Sequence, residues 1–236
     1  MKINGFITKQ EKAPRFAAGC LVLLTTWSIL CSAVMASVQI KSADTKTGYI
    51  ARLLLNEAPL PSERGWVSEE NSKATMLAIL WVCHSRIHHI PTGYKQMEIA
   101  AVQSKDIIDI ITAGGKKGQC DGFYKDSAGH PHYESRVQER IDYLLKIANQ
   151  GKPGKFARLV NYAQGLADAY VAGGMSEADR FAGLTVVGST SVTGRAYSWM
   201  TDMDYYNPGG NFVRIPDNLN GSLGGNRFFT LRRLNK

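Results

Sequence analysis

Glu57 is the residue whose surroundings first point to chemistry. It lies in residues 48–61, GYIARLLLNEAPLP, where Ile50, Leu53, Leu54 and Glu57 recur at helical spacing, so three apolar residues and then a carboxylate share one face. Pro59 and Pro61 stop that helix just after Glu57, because proline lacks the N–H and restricts the residue before it. A carboxylic acid at the end of a packed helix has two reasons to keep its proton. Desolvation disfavours the anion, and so does the negative end of the helix dipole. That is the environment of a general acid working near neutral pH. The competing reading is an exposed glutamate on a frayed last turn.

Two other side-chain sets have metal or nucleophile chemistry within reach. His84 and His88 stand four apart with His89 adjacent, and two histidines at i, i+4 can share a metal. Ser85 occupies the place where the zinc-protease pattern has glutamate, which leaves a solvated or partly packed pair as the simpler reading. His130 and His132 flank Pro131 and offer further ligands. Cys83 falls on an apolar face and reads as a core thiol, whereas Cys120, in a loop, is the better candidate nucleophile, with His130 or His132 as base. A disulfide between Cys83 and Cys120 competes with that role, and two cysteines alone do not decide it. The glycine-rich stretches near 114 and 209 lack the spacing of a phosphate loop.

The elements that must position these residues are mostly helical. Residues 72–87 carry Met76, Ile79, Leu80, Cys83 and Ile87 in helical rhythm, with Ser72 as N-cap. The loop between the first two helices, 59–71, forms either one wall of a cleft or an ordinary connection. Residues 97–112 read as a third helical region, and 135–149 and 155–172 as two more, each stopped by glycine. Ser176 to Asp179 resembles a further helix start. Between them, residues 119–133 (QCDGFYKDSAGHPHY) mix aromatic and polar side chains, as functional loops do. Phe123 and Tyr124 there either stack on sugar faces or pin the loop to the core. After residue 183 the texture turns to glycine, serine and threonine, and 184–187, 211–215 and 227–231 read as short strands. The fold class is therefore mainly α, an α+β chain with a short β- and loop-rich C-terminal section.

Residues 1–36 read as a secretory signal. A basic segment precedes an apolar run from 16 to 30, and Val34-Met35-Ala36 offers small residues for cleavage. Retention as an uncleaved anchor is the alternative, and the sole route to a membrane. Residues 37–236 then form a single catalytic domain, placed in the periplasm or secreted. The net charge of +8 falls to +5 once residues 1–36 are removed, and a modest positive charge in an exported chain fits an anionic polymer such as a cell wall. It is too diffuse for nucleic acid, which draws a concentrated basic stripe.

Ala51-Arg52-Leu53-Leu54-Leu55-Asn56-Glu57-Ala58 resembles the A-R-x-x-x-x-E-A opening of the spore-cortex-lytic and cell-wall hydrolase family. In that family an alanine- and aliphatic-rich helix follows and ends in an asparagine–arginine or similar pair. His84-Ser85-Arg86-Ile87 stands at that place here, and Gly225-Asn226-Arg227-Phe228-Phe229 resembles the family's aromatic-rich closing segment. The resemblance implies a lysozyme-like fold, and a role for Glu57 as general acid on peptidoglycan glycan strands, with no cofactor or metal. A hydrolase needs a second carboxylate, for which Asp121 and Glu63 are nearest by loop placement. A lytic transglycosylase needs none, because the sugar's own 6-hydroxyl closes on the anomeric carbon, and the lack of a clear second acid favours it. Gln119, Phe123 and Tyr124 are the candidate substrate contacts. The rival readings are a non-catalytic wall-binding or secretion-scaffold protein and a zinc or cysteine peptidoglycan amidase.

Overall fold

A computed structural model describes residues 37–151, 154–176, 179, 184–201 and 208–234. The expected signal at 1–36 lies outside them. The described residues form a mixed α/β structure of six α-helices and two small antiparallel sheets. None of these helices is long and apolar enough to cross a membrane.

α1 (Lys46–Glu57) is the central helix. Thr45 caps it by accepting from the Gly48 N–H at 3.1 Å, and residues 48–55 are all buried. A helix buried on every side is enclosed by others rather than laid on a surface, and α1 is packed by α2 (Glu69–His88), α4 (Ile107–Thr112), α5 (Ser135–Ala148) and α6 (Lys155–Val171). The single apolar stripe read from the sequence is therefore too narrow a description of it. Arg52 is buried too, and its Nη1 donates to the carbonyls of Lys41 and Gly48, each at 2.8 Å. The lead-in chain thus crosses the first turn of α1 at close range. A Cβ on Gly48 would stand 2.1 Å from the Ser42 oxygen and 2.4 Å from that of Lys41. Alanine gains about 1 kcal/mol over glycine in an open helix, but here the contact is with backbone that must move. Gly48→Ala is expected to lower the stability by about 2 kcal/mol net, read as an earlier urea midpoint at unchanged slope.

The cap of α2 lies four residues before the expected one. Ser68 accepts from the Asn71 N–H at 3.1 Å, and Glu69 and Glu70 occupy the first turn, where carboxylates suit the positive helix end. Ser72 lies inside the helix, its hydroxyl donating to the Pro59 carbonyl at 2.6 Å. The third helical region is two helices, α3 (Gln96–Ala100) and α4. Ala101 takes a left-handed conformation after α3, and Asp106 caps α4 by accepting from the Ile108 N–H at 3.0 Å. α5 and α6 match their expected spans to within a residue. Ser176 and Asp179 exchange the reciprocal hydrogen bonds of a capping box. Most of the residues that would follow lie outside those described.

The first sheet is a hairpin, β1 (Phe123–Lys125) with β2 (Pro131–Tyr133), inside the stretch expected to be irregular. The second has order β3–β6–β4, with β5 (Ser222–Leu223) also on β6. β6 (Asn226–Leu231) and β4 (Phe212–Arg214) fall where strands were expected. β3 (Ser198–Thr201) was not foreseen, and residues 184–187 form no strand. The register sets Trp199 opposite Phe228 and Arg214 opposite Phe229. Phe228 and Phe229 have no exposed surface, so this sheet is anchored through its central strand. Cys83 and Cys120 are free thiols, both buried.

Candidate active site

The last turn of α1 is fixed from three directions. Ala58 follows it in extended conformation ahead of Pro59. From α5, Arg140 donates to the carbonyl of Leu55 at 3.2 Å and of Ala58 at 3.3 Å, and it grips both oxygens of Glu63. From β6, Asn226 donates to the Glu57 carbonyl at 2.9 Å. Carbonyls at a helix C-terminus lack partners in the helix itself, and these two side chains supply them.

Glu57 is half-buried at the wall of an open cleft of about 300 Å³, lined also by Arg64, Asp121, Arg136 and Thr201. Trp199 on β3 donates its indole N–H to Oε2 at 3.0 Å, and Asn56 donates to Oε1 at 3.0 Å. Burial pushes the Glu57 carboxyl above the usual carboxylate range. The Trp199 and Asn56 hydrogen bonds oppose that, the Asp121 charge adds to it, and Arg136 opposes. The result is a carboxylic acid inclined to hold its proton at the edge of a cleft, which is the state a general acid starts from.

The two candidate second carboxylates differ. Glu63 is committed: besides Arg140, its Oε2 accepts from the Leu60 N–H at 2.8 Å, which folds the loop after α1 back on itself. Asp121 is 65% exposed at the cleft and pairs with Arg136 at 2.7 Å.

The candidate substrate contacts do not gather around Glu57. Phe123 has no exposed surface and packs edge-on against Tyr49 at 5.5 Å, so it is a core side chain that cannot stack on a sugar. Tyr124 is half-buried on β1, stacked with His132 at 6.1 Å and beneath Lys116 at 4.7 Å. Gln119 has its amide engaged within the protein, accepting from Arg86 and Ser198 and donating to the Trp199 carbonyl. Trp199, Asn226 and Arg140, the groups that hold Glu57, were missed. Asn226 alone left a trace, within the closing segment that carried the resemblance.

The histidines divide between two separate elements. His84, at the end of α2, meets the Tyr170 hydroxyl at 3.3 Å and the ring of His88 at 4.4 Å. His130 and His132 face Asp126 in the hairpin, at 3.5 and 3.2 Å. Among the described residues no group of three or more His, Cys, Asp or Glu side chains is placed to hold a metal ion. Burial pushes the Cys120 thiol well up, and a neutral buried thiol is a poor nucleophile.

No family model matches the chain, and neither does any curated protein or solved structure. The site's own geometry and the opening motif therefore carry the functional reading.

Proposed function

We propose that this chain is an exported, lysozyme-like enzyme that cleaves peptidoglycan glycan strands by lytic transglycosylation, with Glu57 as its single general acid. The observation that carries the reading is a partly desolvated carboxyl, oriented by Trp199 and Asn56, at an open cleft beside the end of a buried helix. The family resemblance of residues 51–58 points the same way. In this reading Glu57 gives its proton to the bridging glycosidic oxygen as that bond breaks. The 6-hydroxyl of the same sugar then bonds to the anomeric carbon, and its proton returns to the Glu57 carboxylate. Each proton and electron pair is accounted for without a water molecule. Glu63 is bound up with Arg140, which supports a route that needs one carboxylate rather than two.

Mass spectrometry of purified sacculi digested with the protein tests this directly. New anhydro-muramic ends are expected. Sacculus binding with no new chain ends would favour a scaffold, and released peptides with intact glycans an amidase. Asp121→Asn separates the two glycosidic routes. Activity within about tenfold of the parent is expected for the transglycosylase, whereas loss of a second catalytic carboxylate costs a hydrolase about 10²–10⁴-fold. The same substitution removes a charge that raises the Glu57 pKa. The alkaline limb of the activity profile, where the acid loses its proton, is therefore expected to move to lower pH.

A further inference from the structure

Arg86, in the last turn of α2, is buried, yet among the described residues no carboxylate pairs with it. Burying a guanidinium costs several kcal/mol unless its donors find partners, and two of these do. Nε donates to the Tyr197 carbonyl at 2.7 Å, and Nη2 to Gln119 Oε1 at 2.7 Å. Gln119 passes the constraint on. Its Oε1 also accepts from the Ser198 hydroxyl at 2.7 Å, and its Nε2 donates to the Trp199 carbonyl at 3.0 Å. Three consecutive residues, Tyr197, Ser198 and Trp199, are thus tied to one arginine–glutamine pair. The third of them is the residue whose indole reaches Glu57 at 3.0 Å. Gln119 also sits two positions before Asp121, which lines the same cleft. A hydrogen-bonded polar network of this kind favours one arrangement of the elements it joins.

We propose that Gln119, locked by Arg86, is a positioning residue that sets β3 so that the Trp199 indole stays bonded to the Glu57 carboxyl. Its effect on activity rests on Glu57 being the acting acid, but its effect on Glu57 itself is readable in a protein with no activity at all. The groups that share the cleft with Glu57 are Asp121 from the turn before β1, Arg136 and Arg140 from α5, and Glu63 and Arg64 from the loop after α1, with the Cys120 thiol also near. None of them is altered by the substitutions below, so a change in Glu57 reports the indole bond.

The test follows the Glu57 side-chain carboxyl by carbon-13 NMR across pH, its resonance identified by its loss in Glu57→Gln. Trp199→Phe removes the indole N–H and is expected to raise the Glu57 midpoint by about one pH unit, the share of one hydrogen bond to a charged group. Gln119→Met keeps the length and removes three hydrogen bonds. It is expected to raise the midpoint by a similar amount, and the double variant to add little more, because both act through one bond. Ser198→Ala, a gentler cut in the same network, is expected to move it in the same direction by less and serves where the methionine variant does not fold. Lower melting temperatures with the parental midpoint in Gln119→Met and Ser198→Ala would overturn the proposal. So would full additivity in the double variant. In sacculus digestion the alkaline limb should shift upward in parallel. Absence of muropeptides from every variant and the parent would reject the enzymatic reading and leave the NMR result to stand or fall separately.

Discussion

Glu57→Gln is expected to cut muropeptide release from purified sacculi by about 10³-fold, the span over which a positioned proton donor acts. The substitution keeps the side chain's volume and one oxygen to accept from Trp199. What it removes is the transferable proton and the second acceptor, which leaves Asn56, itself half-exposed, to turn toward solvent. Release equal to that of the parent would remove Glu57 from the mechanism. The same variant carries a stability signature of opposite sign. Burial holds the folded-state pKa of Glu57 above its unfolded value, so the folded state binds the proton more tightly than the unfolded chain does. The resulting cost to folding is absent below the unfolded pKa, grows as pH rises between the two values, and is complete above the folded one. Glu57→Gln is therefore expected to melt at a higher temperature than the parent in mildly alkaline buffer, and the two melting curves are expected to converge in acid. An inactive yet more stable variant is the signature of a group kept for work rather than for folding.

Arg140→Ala is expected to lower stability by about 3 kcal/mol and to reduce activity with it. The guanidinium is held by both Glu63 oxygens and by two carbonyls at the end of α1. Removing it leaves Glu63 unpaired and strips those carbonyls of their donor. Arg140 and Glu63 are each about a quarter to a third exposed, so the loss falls at the lower end of the range for breaking a buried pair. Lysine is not expected to rescue it, because an ammonium cannot span two carboxylate oxygens and two carbonyls in one plane. Urea unfolding gives the first quantity, and sacculus digestion the second. A variant with parental stability would show that α5 does not clamp the Glu57 end of α1.

What the sequence disclosed, and what it did not, follows from distance along the chain. The end of α1 was legible because Pro59 and Pro61 mark it locally, and α5 and α6 because their apolar repeats run for several turns. Ser72 was mistaken for a cap because the true one, Ser68, precedes two glutamates rather than an apolar residue. Residues 97–112 read as one helix because Ile99 and Ile107 keep a plausible phase across a break made by Ala101 and Asp106. Strands of two to four residues, such as β1, β3 and β5, are too short to display alternation. Gln119 reads from the sequence as a substrate contact, yet its amide faces inward to Arg86 and Ser198, partners 33 and 79 positions away. Tertiary pairing of that kind leaves no local pattern to read.

Glu57 meets Trp199 and Asn226 across 142 and 169 positions. A ribosome makes the acid long before the groups that tune it. While the chain is still emerging, Glu57 is an ordinary carboxylate in water, titrating like that of any unfolded peptide. The proposed proton donor is assembled only when β3 and β6 have arrived and docked. On the proposed reading of an exported wall-cutting enzyme, such ordering guards the producing cell: a chain still being threaded through an export channel has no tuned acid with which to cut.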